Sequence, residues 1–138
     1  MAWITPVTDR TDGTARMTAS DMDRITGNLD YLATETTSAG LSGAVSPAKT
    51  AWTTDDIITV TDWSDILASL DSILATLQLP TGGANDSMIY WNINVVESLS
   101  LQAYDRLTQI VNGTILNRFV NDNLFAGDPG LYSEGVAV

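Results

Sequence analysis

The side chains that could do chemistry in this sequence are carboxylates, hydroxyls and amines, because the chain contains no histidine and no cysteine. Serine–histidine and cysteine–histidine nucleophiles are therefore excluded, together with the usual zinc sites. A pair of acids acting as a hydrolase on a glycosidic bond is formally left open. The glutamates, however, are only Glu35, Glu97 and Glu134, and they fall in segments of three different kinds. We therefore expect no enzyme activity and no cofactor.

Oxygen-rich segments that could bind calcium are Asp55 with Asp56, Asp9 with Asp12, and the stretch from Asn121 to Asp128. None of them matches the EF-hand loop, so solvated turn acids explain them better. The segment T81-G-G-A-N lacks the Gly-Lys-Ser/Thr ending of a phosphate-binding loop and reads as a turn between helices. The sequence thus predicts neither a metal site nor a phosphate site.

The four tryptophans are candidates for binding, because exposed aromatic rings anchor many interfaces and stack on sugars. Trp63 falls in an apolar helical stripe, which favours a place in the core. Trp3 and Trp52 lie just outside the predicted helices, where packing against a helix end and contact with a partner are both open. Trp91 is left undecided between the two.

The elements that position these residues are organised by a repeat at an offset of 41 residues. Thr18 precedes Asp21 by three residues, and Thr59 precedes Asp62 in the same way, so each pair is typical of a capping box at a helix start. Each start is followed by four apolar residues on one helical face. They are Met22, Ile25, Leu29 and Leu32 in the first copy, and Trp63, Ile66, Leu70 and Ile73 in the second.

These patterns predict a mainly α protein with three amphipathic helices at about 18–34, 59–78 and 87–111. The third helix is a tentative third copy, because Ser100 replaces the leucine of the stripe. As domains, we expect an extended N-terminal arm over 1–17, a helical domain over 18–111 and an extended or β-like tail over 112–138. Asn112-Gly113 favours a helix cap over a hairpin turn.

Charge and composition limit the partners of the chain. Six basic residues against seventeen acidic ones give a net charge of −11, which disfavours direct binding of nucleic acid and of anionic membranes. The start of the sequence resembles no signal peptide, and no segment is long and apolar enough for a membrane span, so we expect a soluble protein. Charged residues make up only 17% of the chain, which favours a surface partly covered by partners.

One stretch carries a family resemblance. The segment W3-I-T-P-V-T-D-R-T-D-G, followed by S20-D-M-D-R-I-T-G-N-L-D-Y-L, resembles a module of tailed-bacteriophage virion proteins. In that module a Trp/Thr/Pro arm precedes a helix of the type D-x-N-R-I-E-x-N-I-x-Y-L. The second arm, W52-T-T-D-D with D62-W-S-D-I, looks like the same module. This chain departs from the pattern at Asp23 and Thr26, where the module has Asn and Glu.

The resemblance implies a structural protein of the tail, baseplate or fibre, or a head accessory protein, with no enzyme activity. Such a protein is made in the cytoplasm of the bacterial host and assembles into the virion, as a homo-oligomer and with other virion proteins. We expect its helices and arms to contact neighbouring subunits. The expected interface residues are Trp3, Trp52, Trp63, Ile66, Leu70, Ile73, Trp91, Phe119 and Phe125. The alternative is a receptor- or glycan-binding module that uses exposed tryptophans.

Overall fold

A computed structural model describes residues 2–10, 17–87 and 90–113. The chain divides into two compact units, Met1–Tyr104 and Asp105–Val138. Across the described ranges the structure is mainly α and contains no strand, with helices α1 (Ala19–Ser38), α2 (Val60–Thr76) and α3 (Tyr90–Val111). The predicted fold class is therefore confirmed. The expected β-like tail, beyond its first two residues, lies outside the described residues.

Helices α1 and α2 begin in the same way. The hydroxyl of Thr18 accepts a hydrogen bond from the backbone N–H of Asp21 at 3.1 Å, and the Asp21 carboxylate accepts one from the N–H of Thr18 at 2.9 Å. Thr59 and Asp62 form the same pair of bonds, each at 3.0 Å. Both helix starts predicted from the repeat are therefore capping boxes, which satisfy N–H groups that the helix cannot bond internally.

Helix α1 ends at Ser38, four residues beyond the predicted end. Gly40 adopts a left-handed conformation with φ of 94°, its N–H donates to the carbonyl of Thr37, and the N–H of Leu41 donates to the carbonyl of Thr36. This pair of bonds is a Schellman cap, which uses carbonyls left over at the helix end. The Ser/Gly-rich composition of this region concealed the last turn of the helix.

The ends of α2 and α3 are also capped. Gln78, with φ of 58°, takes the left-handed position after α2, and the N–H of Leu79 donates to the carbonyl of Leu74. Gly113, with φ of 79°, follows α3 and donates to the carbonyl of Ile110. The predicted preference for a cap over a hairpin at Asn112-Gly113 is confirmed.

Helix α3 is described from Tyr90, and residue 87, where it was predicted to begin, lies outside the helix. The side-chain amide of Asn92 bonds both the N–H and the carbonyl of Asn85. The Asn85 side chain in turn accepts the N–H of Ser87 at 2.8 Å, which is an Asx turn. These bonds hold residues 85–87 outside the helix, so the helix starts later than the apolar pattern suggests.

Both predicted apolar stripes are buried inside the chain. All eight residues of the two stripes have exposed fractions of 2% or less. Buried apolar side chains of α3 within the first unit are Ile93, Val96 and Ala103. Ser100 is also buried and turns its hydroxyl to the carbonyl of Val96 at 3.0 Å. A polar residue is therefore accommodated in the third stripe because its own helix supplies an acceptor.

Candidate interaction surface

A segment without regular secondary structure runs along α2 in the opposite direction to the helix. This segment, residues 42–51, is called strip 2 here. The side chains of α2 that bind its backbone lie one turn apart. The hydroxyl of Thr76 donates to the Ser42 carbonyl at 3.5 Å, and the hydroxyl of Ser69 donates to the Val45 carbonyl at 2.7 Å. The N–H of Val45 donates to the hydroxyl of Ser72 at 2.9 Å, and the N–H of Ala48 donates to the carboxylate of Asp65 at 2.7 Å.

The bonds fall on every third residue of strip 2, at positions 42, 45 and 48. The strip has no regular secondary structure, and Gly43, with φ of 116°, interrupts any regular backbone conformation within it. Its backbone groups are therefore free to bond side chains of α2. Six residues of extended chain reach at most about 20 Å, and the eleven steps of helix from Asp65 to Thr76 rise about 17 Å, so the strip can follow the helix over this length.

Residues 2–10 form another such segment, called strip 1 because it comes first in the chain. Its backbone is also hydrogen-bonded at every third residue, at Ile4, Val7 and Arg10. Asn28 of α1 binds both the N–H and the carbonyl of Ile4, at 2.9 and 2.7 Å. Asn94 of α3 binds Arg10 in the same way, also at 2.9 and 2.7 Å. Each side-chain amide therefore pairs with the backbone of one residue of the strip.

Strip 1 corrects one expectation from the sequence. The N-terminal arm was expected to run over adjacent proteins because it could not bury itself. In the structure residues 2–10 lie on helices of their own chain, and Pro6 is buried there. The reason is that Asn28 and Asn94 form hydrogen bonds with the backbone of the arm. Such bonds do not depend on apolar side chains in the arm.

The repeat of 41 residues includes the strips. Ile4 is the counterpart of Val45, and Asn28 is the counterpart of Ser69, which binds Val45. The buried Pro6 likewise corresponds to the buried Pro47. The sequence matched the second arm to the first through Trp52 and Trp3, with a shorter gap from tryptophan to helix cap in the second copy, whereas the structure aligns Ile4 with Val45. The signal was present in the sequence, because I4-T-P and V45-S-P recur at the offset already found for the helices.

A buried ionic network joins strip 1 to α1 and α3. The Arg24 guanidinium donates through Nε and Nη2 to both oxygens of Glu97, at 2.8 Å each, and Glu97 is 1% exposed. Glu97 Oε1 also accepts the N–H of Val7 at 3.2 Å. The paired Glu97 carboxylate raises the pKa of Arg24 against the opposing effect of burial.

Asp21 lies at the other end of this network. Its Oδ1 accepts from Arg24 at 3.0 Å and from Arg10 at 2.8 Å. Burial alone would raise the pKa of Asp21, but hydrogen bonds from the Thr18 backbone, Arg10 and Arg24 outweigh it and lower the pKa to about 2. The carboxylate that caps α1 is thereby held ionised beside both arginines.

Two of the predicted interface tryptophans pack against the chain itself. The ring of Trp3 stacks on Tyr104 with centroids 4.2 Å apart and an angle of 9°, and it also contacts Tyr31. Trp52 is buried, and its Nε1 donates to the hydroxyl of Thr26 at 3.2 Å. The Lys49 ammonium lies 4.2 Å from the Trp52 ring centroid. Both rings therefore stabilise strips on helices.

The other predicted interface residues fall in three groups. Trp63, Ile66, Leu70 and Ile73 are buried at 1% exposure or less. Trp91 is 44% exposed. Phe119 and Phe125 lie outside the described residues. Because stacking on a sugar needs an accessible ring face, Trp91 is the best placed of the four tryptophans for such a contact.

Two open grooves lie beside the strips. The first, of about 390 Å³, is lined by Ala2, Ile4, Asp23, Gly27, Thr50 and Ala51, and is called the strip groove here. The second, of about 310 Å³, is lined by Met17, Thr18, Ala19, Met22, Trp52, Thr53, Thr54, Asp56 and Ile58. In the second groove the pKa of Asp56 is lowered, mainly by the N–H of Thr53. Both grooves are largely apolar.

Other kinds of site were sought in the same residues. Within the described ranges no three acidic side chains come together as metal ligands. None of the helices in this part of the chain has the length and apolar character needed to cross a membrane. Comparison of the chain with protein-family models, with curated proteins and with solved structures gives no match.

Proposed function

We propose that this chain is a non-enzymatic structural protein of a tailed-bacteriophage virion, in the tail, baseplate or fibre or as a head accessory protein. The observation that carries the proposal is the repeated module, in which a strip without regular secondary structure is bound through its backbone by polar side chains of the helices. The first copy of this module contains the residues from Trp3 to Leu32 that resemble phage virion proteins, and the resemblance recurs around Trp52 and Trp63, just after strip 2.

The geometry of the module supports an assembly role. Asn28 and Ser69 bind strip backbone rather than strip side chains, so they fix each strip while leaving side chains on its outer side free. Ile4 and Val45 occupy equivalent positions and are 53% and 60% exposed. Exposed aliphatic side chains on a fixed backbone lose little conformational freedom on contact with a partner, which suits a subunit interface.

The glycan-binding alternative has less support. It required several exposed tryptophans, and Trp3, Trp52 and Trp63 each pack or hydrogen-bond within the chain. Trp91 alone, at 44% exposure, gives a narrow platform for stacking on a sugar. We therefore retain glycan binding as an outcome of the experiment below.

The experiment is to purify phage particles from the bacterial culture that encodes the chain, by density gradient, and to look for the protein by mass spectrometry and immunogold labelling. We expect the protein in the particle fraction at a fixed ratio to the other virion proteins, with label at one part of the particle. Its presence only in the particle-free fraction throughout infection would contradict the proposal. Glycan-array binding that is lost on Trp91→Ala would favour the alternative.

A further inference from the structure

The strip groove is formed by three segments of the chain. It is lined by Ala2 and Ile4 of strip 1, by Thr50 and Ala51 of strip 2, and by Asp23 and Gly27 of α1. Ile4 is held at this edge because Asn28 binds both of its backbone groups. The groove is therefore formed before any partner arrives, which lowers the entropic cost of filling it.

One charged group, the carboxylate of Asp23, lies in this largely apolar groove. Asp23 is exposed, and its Oδ1 accepts the N–H of Trp52 at 2.8 Å. Its Oδ2 makes no hydrogen bond with any of the described residues. A carboxylate has lone pairs for several donors, so Asp23 retains capacity for a donor from outside the chain.

We propose that the strip groove binds a lysine or arginine side chain of a partner protein. The aliphatic stem of such a residue would pack between Ile4 and Ala51, and its cationic head would donate to Asp23. Long basic side chains bury their methylene groups against apolar surface while keeping the charge at a polar edge. This combination matches a largely apolar groove with a single carboxylate.

The charge of the chain favours a basic partner. The net charge is −11, and among the described residues Arg10, Arg24 and Lys49 are each held in salt bridges with carboxylates of the same chain. Lys49, adjacent to the groove wall, turns its ammonium towards Asp56 at 3.3 Å. A second copy of this acidic chain is repelled at long range, whereas a basic protein is attracted. The inference adds a partner class to the proposed function.

The first experiment is an NMR titration of the full chain with the peptide acetyl-Ala-Lys-Ala-amide. We expect saturable shifts of the signals of Ile4, Gly27 and Ala51. The control peptide carries norleucine, which keeps the stem of lysine without the ammonium, and should bind about three- to five-fold more weakly, the size of an exposed ion pair. Equal binding of both peptides, or shifts centred on another part of the chain, would overturn the inference.

The matched variants are Asp23→Asn and Asp55→Asn, which change the net charge equally. Asparagine at 23 keeps an oxygen that can accept the Trp52 N–H, so the fold should be retained. Asp55 is exposed and does not line the strip groove. We expect Asp23→Asn to weaken lysine-peptide binding about three- to five-fold and Asp55→Asn to leave it unchanged. Equal weakening by both variants would mean non-specific attraction and would overturn the inference.

The peptide-binding experiment and the particle experiment can fail separately. Peptide binding in the groove, together with absence from phage particles, would remove the proposed function and leave the inference standing. A sedimentation series that shows a dimer, with signals of Ile4 and Ala51 changing on dilution, would instead assign the groove to a second copy and overturn the inference.

Discussion

Arg24 of α1 and Glu97 of α3 form a two-pronged salt bridge, with both donor–acceptor distances at 2.8 Å, across 73 residues of sequence. The side chains are 11% and 2% exposed. Glu97 also accepts the N–H of Val7, so the same carboxylate connects α1, α3 and strip 1. A buried ion pair of this kind stabilises the fold little against an apolar replacement, but removal of one partner leaves an uncompensated charge.

The first prediction follows from this pair. Glu97→Gln should lower the free energy of unfolding by up to about 3 kcal/mol, because the buried Arg24 would lose its two-pronged partner and keep only its bond to Asp21. Chemical denaturation measures the change, with the exposed Glu35→Gln as control. The double variant Arg24→Met, Glu97→Leu should be more stable than Glu97→Gln. A double variant less stable than the single one would show that the charges themselves stabilise the fold.

The second prediction concerns pH. The pKa of Asp21 is lowered from 3.8 to about 2, so the folded state favours its ionised form. Its contribution to stability is therefore fully present above about pH 4 and is lost as the pH falls towards 2. We expect the difference in melting temperature between the wild type and Asp21→Asn to shrink to near zero over this range. A difference independent of pH would contradict the assigned role of Asp21.

The parts of the fold that sequence could predict are those set by local patterns. The capping residues Thr18 and Thr59 and the apolar stripes are encoded within one or two helical turns, so their spacing is readable. The hydrogen bonds between Asn28 and the backbone of strip 1 were not predicted, because a bond to backbone requires no periodic pattern of apolar residues in either segment. The pairing of Arg24 with Glu97 depends on how α3 packs against α1, which no local spacing specifies.

The third prediction tests the equivalence of the two helix starts. Thr18→Ala and Thr59→Ala should each lower the free energy of unfolding by about 1 kcal/mol, as lost N-caps do. Thr61→Ala is the matched control, since Thr61 is exposed inside α2 and alanine favours helix there. Thermal melts of the three variants decide it. No shift for both cap variants would contradict the capping boxes as a source of stability.

The fourth prediction concerns the stripe of α2. Leu70 is 1% exposed, so Leu70→Ala should cost about 2 to 5 kcal/mol through lost burial and the cavity left behind. Leu101→Ala, at a position 37% exposed, removes the same atoms and should cost much less. Denaturant unfolding of both variants measures the difference. Equal costs would mean that the interior relaxes around residue 70 to close the cavity.

The last prediction concerns strip 1 and the side chains that bind its backbone. The N–H groups of Ile4, Val7 and Arg10 are bonded to side chains of the helices, whereas the described residues provide no such partner for Thr5, Thr8 and Asp9. Hydrogen exchange of the isolated chain should therefore show protection at every third residue of strip 1, because exchange at a bonded amide requires local opening.

Single substitutions can separate the two ends of strip 1. Asn28→Ala should speed exchange at Ile4 and leave Arg10 protected, while Asn94→Ala should do the reverse, because each amide binds one residue only. Each variant is thus the control for the other. Equal loss of protection at both residues in either variant would mean that the strip opens as one cooperative unit. Fast exchange throughout in the wild type would instead support the expectation that the arm lies on adjacent proteins.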